Sequence, residues 1–128
     1  MKNILLLLSK MFFKKIFAFF LTLFVFILHV IPGHDIMIFE WDHLFQIDKL
    51  FHFLIFGFLS ISYFLYFNSV FYSIFFALIY GVFLETVQGL FFNYRHFDII
   101  DLLADFLGSL FFVSAFLKLK LNKYFNLD

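Results

Sequence analysis

Apolar residues dominate the chain in four long stretches, about 16–31, 50–67, 70–92 and 99–117, separated by short polar segments. At ~1.5 Å rise per residue, a helix over each stretch approaches or covers the ~30 Å of bilayer hydrocarbon. The pattern predicts an all-α protein, an integral membrane bundle of four transmembrane helices. Pro32-Gly33 ends the first span. The Asn68–Ser69 link is so short that the second and third spans must form an antiparallel hairpin.

The loop between the first two spans has a pattern of its own. Met37, Ile38, Trp41, Leu44 and Phe45 recur at helical spacing, while Glu40, Asp42, His43 and Gln46 take the other face. This predicts a short interfacial helix in the first outer loop, with Trp41 at headgroup level.

Composition agrees with a bilayer environment. The chain has 128 residues, 65% of them hydrophobic, with a mean hydropathy of +1.04, well outside the range of a soluble domain. That length accommodates a single domain, 1–128. Twenty-seven phenylalanines reflect an AT-rich coding bias as much as a structural demand, so no aromatic site is read into them. The absence of cysteine excludes disulfides and thiolate metal sites.

The formal net charge of zero hides an uneven distribution. Lys2, Lys10, Lys14, Lys15, Lys118, Lys120 and Lys123 lie towards the two ends, and Lys49 and Arg95 are the only Lys or Arg between them. Four spans put both ends on one side, and the positive-inside rule makes that side cytoplasmic. The 33–49 and 93–98 loops then face outward. The first span has the basic start and apolar core of a signal peptide. However, His29-Val30-Ile31-Pro32-Gly33-His34 lacks a small-residue cleavage pattern, so the span is expected to be retained.

Eight of the nine acidic residues (Asp35, Glu40, Asp42, Asp48, Glu85, Asp98, Asp101 and Asp105) lie in the middle of the chain. In the fourth span, Asp98, Asp101, Asp105 and Gly108 fall within ~80° of one another at ~100° per residue. In the third, Gly81, Glu85, Gln88 and Gly89 share one face, the glycines allowing close approach of a neighbouring helix. The second span opens with Asp48, Lys49 and His52, an i, i+4 pair with a cation in the same sector. Carboxylates are too costly to face lipid, so these stripes must meet one another. The other histidines carry less weight: His29 reads as an interfacial residue, and His34, His43 and His96 as loop residues.

Acids outnumber bases in this cluster, so a proton or a cation must resolve the excess. A raised carboxylate pKa would give a neutral acid ready for proton transfer. Alternatively a hard divalent cation, Mg²⁺ or Ca²⁺, would suit the oxygen donors. The spacing matches no dedicated metal motif, which favours the proton and predicts no cofactor.

Taken in order, Asp48-Lys49-xx-His52, Glu85-xx-Gln88 and Arg95-xx-Asp98-xx-Asp101-xxx-Asp105-xx-Gly108 resemble the VanZ-like family of small bacterial multi-pass membrane proteins. The resemblance covers roughly residues 45–115. It implies site residues at Lys49, His52, Glu85, Gln88, Arg95, Asp101 and Gly108. The family pattern usually has Asn where this chain has Asp105, which adds a possible charge at that depth. The resemblance further implies residence in the bacterial plasma membrane, a role in the cell envelope and a link to tolerance of teicoplanin-type glycopeptides.

The leading functional expectation is an outward-facing site that binds or modifies a lipid-linked or glycan headgroup. Lys49, Gln88, Arg95 and Asp98 would hold the substrate, while Glu85, Asp101, Asp105 and His52 would act as acid or base. Gly81, Gly89 and Gly108 would serve helix packing. One alternative is an accessory subunit of another membrane protein. A second is a proton- or cation-coupled transporter, which is less well served because the polar residues stop halfway across. Whether the chain is an enzyme stays open. Expected partners are the lipid bilayer, a lipid-linked envelope precursor, and a membrane-protein partner or a second copy of the chain. No nucleic acid is expected.

Overall fold

The computed structural model describes residues 2–30, 47–91 and 97–125, and these are helical except at 68–69 and 97–98. Four helices follow in chain order: α1 Lys2–Val30, α2 Ile47–Phe67, α3 Val70–Phe91 and α4 Ile99–Phe125. All four are long and apolar enough to cross a membrane, as expected for a multi-pass membrane protein. The proposed interfacial helix around Trp41, together with His34, His43, Arg95 and His96, lies outside the described residues.

Helices α1 and α4 extend beyond the apolar stretches that predicted them. In α1 the segment before residue 16 stays helical because Leu, Met and Lys are strong helix formers. Hydropathy marks where a span enters lipid, and propensity marks where the helix starts.

The α2–α3 hairpin turns on two residues. Asn68 adopts a left-handed conformation (φ 52°), tolerated by Asn, and its N–H donates to Phe64 O at 2.8 Å. Ser69 then caps α3, its Oγ accepting from Tyr72 N at 3.4 Å.

The bundle is assembled chiefly around the pairing of α2 with α4. A Cβ placed on Gly108 would lie 2.0 Å from Phe53 O, so only glycine permits this approach of the two backbones. Next to it, Ser60 Oγ donates to Gly57 O at 2.8 Å, and Ser109 Oγ donates to Phe56 O at 3.3 Å across the crossing. Small residues with short hydroxyl bridges are a common way to join helices in lipid, where apolar burial gives no drive. Val25, Phe56, Leu59, Ala77 and Leu84 form a buried core between α1, α2 and α3. Large side chains such as Phe12, Phe13, Phe19, Phe71 and Phe111 are exposed on the outer faces. A surface of this kind suits acyl chains and would associate in water.

Candidate functional site

The polar residues of α2, α3 and α4 converge at one end of the bundle. Side-chain exposure falls steadily inward: Asp48 56%, Asp98 38%, Lys49 21%, Asp101 8%, His52 5%, Glu85 1% and Asp105 0%. The cluster thus leads from the open end of the bundle into its interior.

Its mouth is built by the start of α4. Asp98 caps that helix, Oδ1 accepting from Ile100 N at 2.7 Å, while Oδ2 accepts from Lys49 Nζ at 2.7 Å. Lys49 also donates to Asp101 Oδ1 and lies 3.9 Å from Asp48 Oδ2. The Lys49 ammonium, and then the Ile100 N–H, hold the Asp98 carboxyl below the usual carboxylate range. A depressed folded-state pKa stabilises the protein above the unfolded value and loses that contribution as pH falls through the folded one. Asp98→Ala should therefore lower stability by about 1 kcal/mol at neutral pH, as for a lost N-cap. Thermal unfolding in detergent, followed by circular dichroism, checks it. The difference between wild type and variant should shrink on acidification below pH ~4.

Deeper in, His52 is the hub. Its Nδ1 donates to Asp105 Oδ1 at 2.9 Å, and its Nε2 faces Glu85 Oε1 at 4.0 Å and Asp101 Oδ2 at 3.9 Å. Glu85 Oε2 accepts from the Asp98 backbone N–H at 3.1 Å, tying α3 to the head of α4. Glu85 Oε1 and Asp105 Oδ2 are buried without a hydrogen-bond partner. Asp105 Oδ2 lies over Gly81, where an added Cβ would come within 2.7 Å of it.

The expected site residues do not all gather here. Lys49, His52, Glu85, Asp98, Asp101 and Asp105 do. Gln88 is buried but donates from Nε2 to His29 O at 3.0 Å, satisfying a carbonyl at the end of α1 that the helix itself leaves open. Gly89 is exposed, its nearest neighbour across space being the backbone of Phe97. Arg95 falls outside the described residues.

Sequence reasoning missed one member. His29, expected at the interface, is buried, with its ring edge-on to His52 at 5.1 Å. Its Nδ1 donates to Val25 O at 2.8 Å, so α1 closes the fourth side of the cluster. The end of α1 and the start of α2 must lie at the same end of the bundle, and that was the available signal. Gly57 was also missed; it accommodates the Phe112 ring. Two apolar grooves lie elsewhere, and one of about 560 Å³, lined by Lys15, Thr22, Tyr63, Tyr66 and Tyr80 among others, opens between α1, α2 and α3. Within it Thr22 Oγ1 and Tyr63 OH are 2.9 Å apart, and Tyr80 OH donates to Thr22 O at 2.7 Å.

The sequence profile of the family described as VanZ/LLP1 matches residues 3–120. The chain belongs to the VanZ/LLP1 family. Comparison with curated proteins and with solved structures returns no match. The family match runs through all four helices, so the polar cluster of this VanZ/LLP1 protein lies within the matched region. The described cluster holds five carboxylates (Asp48, Glu85, Asp98, Asp101 and Asp105) against Lys49 and His52. It is an acceptor-rich site, suited to take up protons, hydrogen-bond donors or cations.

Proposed function

We propose that this VanZ/LLP1 protein is an envelope protein of the bacterial plasma membrane, both termini cytoplasmic, whose outward-facing polar site binds or modifies a lipid-linked or glycan headgroup. The observation that carries this reading is the convergence of Glu85, His52, Asp101 and Asp105 at one end of the bundle, entered past the exposed Asp48 and the half-buried Asp98. The lysines near both termini support the orientation. Hydroxyl or amine donors of a headgroup would meet the carboxylates, and His52 would pass protons between Asp105 and the cluster. Lys49 is already held by Asp98 and Asp101. The task of meeting a phosphate therefore falls to Arg95, whose guanidinium suits bidentate contact. The site would contribute to glycopeptide tolerance by acting on an envelope precursor.

The test is envelope-lipid composition and teicoplanin susceptibility in cells carrying Glu85→Gln or Arg95→Ala. Each variant should shift both readouts towards those of a deletion strain. Wild-type readouts from variants shown to be membrane-inserted at normal abundance would refute the reading.

A further inference from the structure

We propose that the groove between α1, α2 and α3 binds one anionic phospholipid, with an acyl chain along the groove and the phosphate on Lys15. The groove exists because α1 packs mainly on α2 and only lightly on α3. Its volume of about 560 Å³ lies within the ~300–1,000 Å³ usual for a ligand site. Lys15 stands at one end of it and Phe83 at the other, where Phe26 stacks on Phe83 at 6.4 Å and bridges α1 to α3. Between Lys15 and Phe26 helix α1 rises roughly 16 Å. That is about half of the ~30 Å of bilayer hydrocarbon, the depth of a single leaflet.

The walls suit an alkyl chain. Thr22 Oγ1 donates to Ala18 O at 2.8 Å, Tyr63 OH donates to Thr22 Oγ1 at 2.9 Å, and Tyr80 OH donates to Thr22 O at 2.7 Å. These hydroxyl protons are already committed within the protein, and the rest of the lining is chiefly apolar. The charge is at the mouth. Lys15 is the one charged residue lining the groove, and its exposed side chain puts Nζ 5.9 Å from the centroid of the Tyr66 ring, at the end of α2 opposite Asp48 and His52. Lys120 Nζ lies at the same end, 5.8 Å from the Phe64 ring. Among the described residues every carboxylate belongs to the cluster at the other end, so none there neutralises Lys15. A lysine at the end of a span extends its ammonium to headgroup level, where a phosphate is its natural counter-charge.

Charge complementarity selects the lipid class. A zwitterionic headgroup carries its own cation beside the phosphate, whereas an anionic one leaves a net negative charge for Lys15 to hold. The second groove also reaches a lysine, Lys118, but only α2 and α4 face it, so a chain there would be less enclosed. The lipid site lies at the opposite end of the bundle from the polar cluster, uses none of its residues and goes beyond the headgroup reading. With both termini cytoplasmic, its lipid comes from the cytoplasmic leaflet, whose anionic lipids attract basic segments.

The experiment uses full-length protein, delipidated in detergent and titrated with dioleoyl phosphatidylglycerol or dioleoyl phosphatidylcholine, with native mass spectrometry as the readout. One phosphatidylglycerol per chain is expected, bound ~5-fold or more tightly than phosphatidylcholine. Lys15→Ala should weaken phosphatidylglycerol ~5-fold, the size of one lysine–anion interaction at a membrane surface, and leave phosphatidylcholine unchanged. Lys120→Ala removes the same charge at the same end but outside the groove, and should bind as wild type. Ile79→Trp, which fills the groove, should weaken both lipids. A phosphatidylglycerol with a photoreactive group in mid-chain should cross-link to wild type at 18–22 and 76–83, a readout that needs no variant. Equal affinity for the two lipids, a folded Lys15→Ala protein that keeps the preference, or cross-links spread evenly over the outer faces would each overturn the proposal. Lipid binding and the envelope phenotypes are measured separately, so either reading can fail without the other.

Discussion

Gly108→Ala should lower the stability of the bundle by about 3 kcal/mol, at the upper end of what overpacking a core costs. An alanine Cβ there would meet Phe53 O at 2.0 Å and Phe53 C at 2.8 Å. Those are backbone atoms of a helix, so no rotamer change relieves the clash and α2 must move away from α4. Movement at this level strains the Ser109–Phe56 hydroxyl bridge, one residue along α4, and the His52–Asp105 contact, less than one turn away. Two other glycines give a graded comparison. At Gly57 an added methyl meets the Phe112 ring at 2.5 Å, and a half-buried side chain yields more readily than a helix backbone. At Gly81 it meets Asp105 Oδ2 at 2.7 Å, which disturbs the site more than the fold. The expected order of thermal midpoints in detergent is wild type, then Gly57→Ala, then Gly108→Ala. A Gly108→Ala protein that melts with the wild type would refute the close α2–α4 crossing.

Much of this arrangement is legible in helical spacing. Asp98, Asp101, Asp105 and Gly108 form one stripe because the α-helix repeats every 3.6 residues, and a carboxylate stripe in an apolar helix has nowhere to go but a partner helix. The same logic found the buried face of α3 at Gly81, Glu85 and Gln88. Partner choice is harder to read. Gln88 has the spacing of a site residue, yet it reaches the carbonyl of His29, because the end of a helix leaves carbonyls that any nearby amide can satisfy. His29 itself has no polar neighbour at i±3 or i±4 in sequence, and its neighbour His52 comes from another helix. Asp48 and His52, adjacent on α2, suggested a local pair, whereas the ring turns to Asp105 on α4. Local periodicity shows which side of a helix is polar. The crossing of α2 and α4, set by Gly108, determines which polar groups meet.

Lys49→Met should cost about 3 kcal/mol, towards the low end of the ~3–5 kcal/mol typical of breaking a buried ion pair. Lys49 serves two carboxylates of different burial, Asp101 at 8% exposure and Asp98 at 38%. Losing the ammonium leaves Asp98 largely to water, and an exposed pair of this kind contributes only ~0.2–1 kcal/mol. Asp101 has no such recourse, since its second oxygen faces His52 inside the bundle. Most of the loss should therefore track Asp101. The double variant Lys49→Met/Asp101→Asn should recover much of it, because an amide needs no counter-charge, while Lys49→Met/Asp98→Asn should recover little. In a double-mutant cycle the Lys49–Asp101 coupling should exceed 1 kcal/mol, roughly, and hold in high salt. The Lys49–Asp98 coupling should be smaller and screened away. Equal couplings for the two carboxylates would contradict the inward gradient of burial, and with it the placement of the cluster as an entry into the bundle.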